Sequence, residues 1–144
     1  MISMTRGLPT AAPAVHAFTV AFAPHESRVR YMRRITRACL RYWDLAPLAP
    51  DATLMVSELV TNAIRHGDGR AVRLRVEHHT TELRIAVTDG TSTLPTLHDA
   101  RDDDEHGRGL YLVAAIADAW GVSSDAGTTW CSLALSATDD RSAA

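Results

Sequence analysis

Residues 57–67 read SELVTNAIRHG. Within them Glu58, Asn62 and His66 recur every four residues, a step of about 400° and roughly 6 Å along an α-helix. The three side chains therefore stack on one edge. At about 100° per residue, Met55, Val56, Leu59, Val60, Ala63 and Ile64 fill one contiguous arc, with Ser57, Thr61 and Arg65 opposite. The acid, the amide and the imidazole border that apolar arc, where side chains line any cavity between the helix and the layer it covers. An ordinary solvated helix edge has the same spacing, so the rest of the chain must decide.

At 144 residues the chain is one domain in size, enough to bury roughly 65–70% of its unfolded surface. Its two cysteines, Cys39 and Cys131, make neither a disulfide framework nor a zinc spacing. No stretch is apolar enough for a signal peptide or a membrane span, and a cytoplasmic protein is expected. A net charge of -2 gives no global field for nucleic acid. All 15 basic side chains are arginine. Without lysine there is no Walker A loop, no Schiff base and no kinase-type strand lysine, so bound phosphate must rest on backbone amides, a metal and Arg.

The 1–13 stretch reads as a flexible arm, 14–137 as the folded domain and 138–144 as a polar tail. Phe18, Val20 and Phe22 alternate as in a strand that Pro24 ends. From Glu26 to Trp43, Val29, Met32, Ile35, Cys39, Leu40 and Trp43 keep helical spacing. Arg28, Arg30, Arg33, Arg34, Arg37 and Arg41 lie mostly on the other faces, giving either a solvated face or a docking surface for an acidic partner. Asp51 is placed to N-cap the central helix and Gly67 to close it at C′. Val72, Leu74 and Val76, then Leu83, Ile85 and Val87, mark two strands joined by a turn over 78–81.

One step further along the second strand, the inward register carries Asp89, followed by Gly90. That carboxylate either turns to water at the strand end or meets a dedicated donor such as an exocyclic amine. The 91–106 stretch has no apolar period and reads as a mobile lid. Its acidic run lacks the ordered glycine and glutamate of an EF-hand and is expected to be solvated. It ends in Gly107-Arg108-Gly109, read as a flexible turn before a buried helix over 110–120 whose free amides suit an anion. A short strand over 122–124 and a firmer one over 129–135 complete an α+β two-layer sandwich: helices over one face of a mixed, mostly antiparallel sheet.

These motifs, in this order from about Phe18 to Leu135, resemble the GHKL (Bergerat) ATP-binding fold. Among its members the chain looks most like the stand-alone anti-sigma-factor serine kinases. The N box falls on Glu58, Asn62 and His66, the first glycine box on Asp89 and Gly90, and the second on Gly107, Arg108, Gly109 and Leu110. A last Gly-Thr box falls on Gly127 and Thr128. The resemblance implies ATP and Mg²⁺ as cofactors, with Asn62 in the metal shell, Asp89 on adenine assisted by Thr128, and the second glycine box along the phosphates. Glu58 becomes the base toward a partner serine. It also implies a sigma factor and an anti-anti-sigma (STAS-type) protein as partners, with a homodimer as a candidate assembly and no direct nucleic-acid or membrane contact. Two positions depart from the pattern: Thr91 replaces a glycine, and Glu105 stands where the kinases often have Arg. The alternative is a non-catalytic ATP-binding module that sequesters a sigma factor or another partner.

Overall fold

The computed structural model describes residues 3–6, 13–89, 105–123 and 127–135. Its centre is the hairpin that strict alternation requires: β3 (Val72–His78) and β4 (Glu82–Thr88) pair antiparallel, Leu74 opposite Val87 and Val76 opposite Ile85. The six inward aliphatic side chains of the pair are buried. β2 (His16–Phe22) joins the free edge of β3, and β6 (Thr128–Ala134) joins β4. β5 (Ala119–Val122) runs antiparallel to β6, and β1 (Ser3–Arg6) lies parallel to β5. The sheet order is β1-β5-β6-β4-β3-β2.

Against the inward face packs α2 (Ala49–His66), with α1 (Ser27–Tyr42) on one side and α3 (Glu105–Ile116) on the other. The apolar arc of α2 meets the strands as its spacing demands: Met55, Val56, Leu59 and Val60 are almost wholly removed from water. The fold is the expected two-layer α+β sandwich. At roughly 25 cal/mol per Å² of apolar surface, each such side chain contributes about 1.5–3 kcal/mol, which is why this face fixes the helix.

Several local readings change. Part of the stretch read as an arm, Ser3–Arg6, is an edge strand; four residues carry too little pattern, and pairing with β5 decides their state. The helix read over 110–120 instead spans Glu105–Ile116, and Trp120 and Val122 belong to a strand. A continuous apolar run does not distinguish buried helix from buried strand. Asp118 makes the break: its N–H bonds Ser132 O at 2.9 Å and its carboxylate accepts from the Ala134 N–H at 2.6 Å. Asp51 is not the cap of α2, which starts two residues earlier with Pro50 in its first positions; the carboxylate sits in the first turn, where the dipole favours it. Residues 136–144, holding the tail, lie outside the described residues.

The end of α1 is a Schellman motif built without glycine. Leu45 N–H bonds Leu40 O at 2.7 Å and Asp44 N–H bonds Arg41 O at 3.2 Å, which requires Asp44 at φ 62°. Within it, at the C-cap, Trp43 closes the sheet end, stacked on His16 at 5.4 Å between ring centroids and tilted on Phe18 at 6.1 Å. On the sheet face away from the helices Arg84 is buried among carboxylates, paired with Glu82 and 3.7 Å from Glu77. Burial would push the Glu77 carboxyl up, but hydrogen bonds from His79 and Arg75, with their charges, outweigh it and hold the group below the usual range.

Two outcomes follow from these contacts. Replacing Asp44 by Gly removes a side chain from a left-handed position and should raise stability by about 0.5–1 kcal/mol, read as a higher melting temperature. Because the folded-state pKa of Glu77 is depressed, its contribution is present above roughly pH 4.3 and is lost as pH falls through the folded value. Glu77→Gln should cost about 1–2 kcal/mol at pH 7 and flatten the acid limb of a stability–pH profile. An unchanged acid limb would remove Glu77 from the account.

Candidate functional site

The polar edge of α2 runs toward the end of β4. Glu58 and Asn62 are half-buried and His66 is exposed, the gradation expected of a border that leaves the protein at the helix C-terminus. Gly67 ends the helix with its N–H on Ala63 O at 2.9 Å and an extended backbone, φ -77° and ψ 173°. It is the C-cap rather than a left-handed C′ residue, so its lack of a side chain answers a steric demand. A Cβ there would stand 2.6 Å from Ala63 O and 3.7 Å from Asp89 Cβ. The close approach of helix end to strand end is what brings Asp89 beside Gly67.

Asp89 continues the inward register of β4, one step beyond Val87, and is half-buried on the helix side of the sheet. Its N–H donates to Gly127 O at 3.0 Å, which ties the end of β4 to the start of β6. Here one assignment shifts. Thr128, expected beside Asp89, pairs with Thr88 on the opposite face, their hydroxyl oxygens 2.8 Å apart. Thr129 pairs with Val87 and so shares the helix-facing side with Asp89. Alternation explains both: a Gly-Thr-Thr run gives one hydroxyl to each face. Counting back from the inward Cys131 and Leu133 could have identified Thr129 from the sequence.

Gly107, Arg108 and Gly109, expected at a turn, lie within the first turns of α3 instead, and Leu110, expected to open the helix, is already inside it. That helix packs on α2, so its start and the N-box edge belong to neighbouring elements. Gly90 and Thr91 lie outside the described residues, as does the lid up to 104; Glu105 opens α3. Among the described residues no cluster of three His, Cys, Asp or Glu could hold a metal ion. A magnesium ion here would therefore depend on oxygens that a ligand brings, as suits a cation that keeps few protein donors.

A two-layer sandwich with an amide on the border of its central helix, and with a carboxylate and a hydroxyl on the helix-facing side of the sheet at the β4 and β6 ends, has the architecture of the GHKL class. The histidine kinase-like ATPase domain family matches residues 22–134, from the end of β2 to the end of β6, and the chain belongs to that family. ATP binding follows from that membership. No curated protein matches it significantly. Among the described residues no helix is long and apolar enough to cross a membrane.

The contact between Gly67 and Ala63 gives a direct test. Gly67→Ala keeps an allowed backbone but forces a carbonyl aside, and should lower stability by about 1–3 kcal/mol in thermal melts. A neutral result would mean that helix end and strand end are not held this closely.

Proposed function

We propose that the chain is an ATP-dependent, anti-sigma-factor-like protein serine kinase that transfers phosphate to a serine on an anti-anti-sigma (STAS-type) partner. The observation that supports it most is the meeting of Asp89 with the end of α2 and the start of β6, because it sets a half-buried carboxylate on the helix side of the sheet. Such an acceptor suits the exocyclic amine of adenine. Thr129, on the same side, suits a second polar contact to the base.

Asn62, one turn of α2 back from His66, would hold Mg²⁺ together with phosphate oxygens and water, and the ion would offset charge on the phosphates. The Gly107–Gly109 segment would lie along the phosphates at the start of α3, with the free amides of the helix's first turn and Arg108 as the positive groups. Glu58 would take the proton of the attacking serine hydroxyl: the serine oxygen bonds the terminal phosphorus as the bond to ADP breaks. The same residues serve the alternative, a binding module that sequesters a sigma factor and uses ATP only to set its shape. Glu105, an acid at the start of α3, is the feature that favours it, since it disfavours a polyanion unless screened.

Mg-ATP at a hundredfold excess over its dissociation constant should stabilise the protein by about 2.7 kcal/mol, a rise of several degrees in melting temperature. Asn62→Ala should abolish that shift. Thr129→Val should weaken ATP about 3–10-fold, whereas Thr128→Val should leave affinity within twofold. Glu58→Ala should retain binding and lose transfer to a serine-bearing partner. Wild-type binding with no transfer to any STAS-type candidate would select the non-catalytic module, and no thermal shift would reject both.

A further inference from the structure

The outward side of α1 holds six arginines, Arg28, Arg30, Arg33, Arg34, Arg37 and Arg41, all exposed. Among the described residues none of them is paired with a carboxylate. Arg28 and Arg34 instead flank the Tyr31 ring, 5.9 and 5.8 Å from its centroid. The arrangement works against the helix itself. Arg30 and Arg34, Arg33 and Arg37, and Arg37 and Arg41 are like charges four residues apart, and the first turn has no acid to meet the dipole. The other nine basic residues of the chain face 17 acids, so the molecule outside this helix carries about -8. Positive charge is concentrated on one element about 24 Å long.

Beside that row the surface is not only charged. Tyr31 and Tyr42 are 49% and 86% exposed along the same helix. Between α1 and α2 lies a half-open groove of ≈ 230 Å³, lined by Glu26, Val29, Thr61, Ile64 and Arg65. Val29 and Ile64 supply apolar surface, and Arg65 approaches Glu26 to 3.9 Å at the rim. One turn along α1, Glu26 and Val29 are succeeded by Arg30 and Arg33, so the groove opens into the arginine row.

We infer that α1 and this groove form a docking surface for a short acidic protein segment that seats an apolar side chain between Val29 and Ile64 and places carboxylates on Arg30, Arg33 and Arg37. Guanidinium groups pair with carboxylates in a bidentate fork, and exposed tyrosines add apolar contact. An apolar pocket beside the charge has no use for a phosphate backbone, and a duplex longer than α1 would extend over the acidic remainder. A second copy of this face is excluded by its own charge. The inference extends the function proposed above by giving the regulator a partner-binding surface. The edge of α2 that lines the groove, Thr61 and Arg65, adjoins the residues Asn62 and His66 of the other edge.

The test is fluorescence anisotropy with a labelled 16-residue peptide of Asp and Glu with Leu at i, i+3, i+4 and i+7, without nucleotide. A 16-base-pair DNA duplex and phosphatidylserine vesicles run in parallel. Saturable, salt-sensitive peptide binding is expected, reduced more than tenfold in Arg30→Glu/Arg33→Glu/Arg37→Glu. Ile64→Trp, which fills the groove, should reduce it about fivefold if its melt shows a folded protein; the arginine variant, altered only at the surface, stands without it. The arginine variant should keep its Mg-ATP thermal shift. No binding by the wild type, equal binding by the arginine variant, or tighter binding of DNA or vesicles overturns the inference. Peptide binding by a protein that shows no Mg-ATP shift would leave the docking surface standing and reject the nucleotide reading.

Discussion

The packing of α2 on the inward face of β3 and β4 is the constraint from which the rest of the structure follows. Met55, Val56, Leu59 and Val60 cannot leave the sheet without exposing an arc that supplies much of the core, and the hairpin offers them a flat aliphatic surface in fixed register. With the arc held, the helix has no rotational freedom left. Its borders are then determined: Glu58, Asn62 and His66 on one, Thr61 and Arg65 on the other. The tight passage of Gly67 over Ala63 O completes the constraint, because it sets the height at which the helix ends relative to Asp89.

How much of this could be read in advance depended on the length of the pattern. The hairpin and α2 are long enough for their apolar periods to exclude alternatives, and both were legible nearly to the residue. β1 and β5 have four residues each, and their state is decided by strands distant in sequence. The apolar run after Leu110 contains both the end of a helix and a strand, and the break between them is a tertiary event at Asp118. Site residues followed the same rule. Asp89 was legible because the inward register of β4 passes through Val87 to reach it. Composition does not separate Thr128 from Thr129, whereas the register of β6 sets Thr129 on the side that faces the helices.

The two faces of the sheet are stabilised differently. Inward, burial is apolar, down to Cys131, whose Sγ lies 3.2 Å from Met55 Sδ and whose thiol burial pushes far above its usual range. Outward, Arg84 is nearly as inaccessible yet charged, and it persists because Glu82 and Glu77 offset a desolvation cost that an isolated guanidinium could not bear. The arrangement is incomplete: among the described residues Arg84 Nε and Trp130 Nε1, on adjoining strands, are buried donors without a partner. Each forfeits a solvent hydrogen bond, so this face gives up stability that a purely aliphatic one would keep.

The asymmetry of α2 brings these features to bear on function. Its core-facing residues are too well enclosed to repack singly, so a ligand against either border meets the helix as one body. Among the described residues Ser57 holds a buried hydroxyl without a partner, one turn back along α2 from Thr61 in the groove. A segment docked along α1 and the groove would act on the α1 side of the helix, while a nucleotide would act at the border that ends against Asp89. The two would be linked through the placement of a single rigid helix, and coupling of that kind is reciprocal in binding free energy.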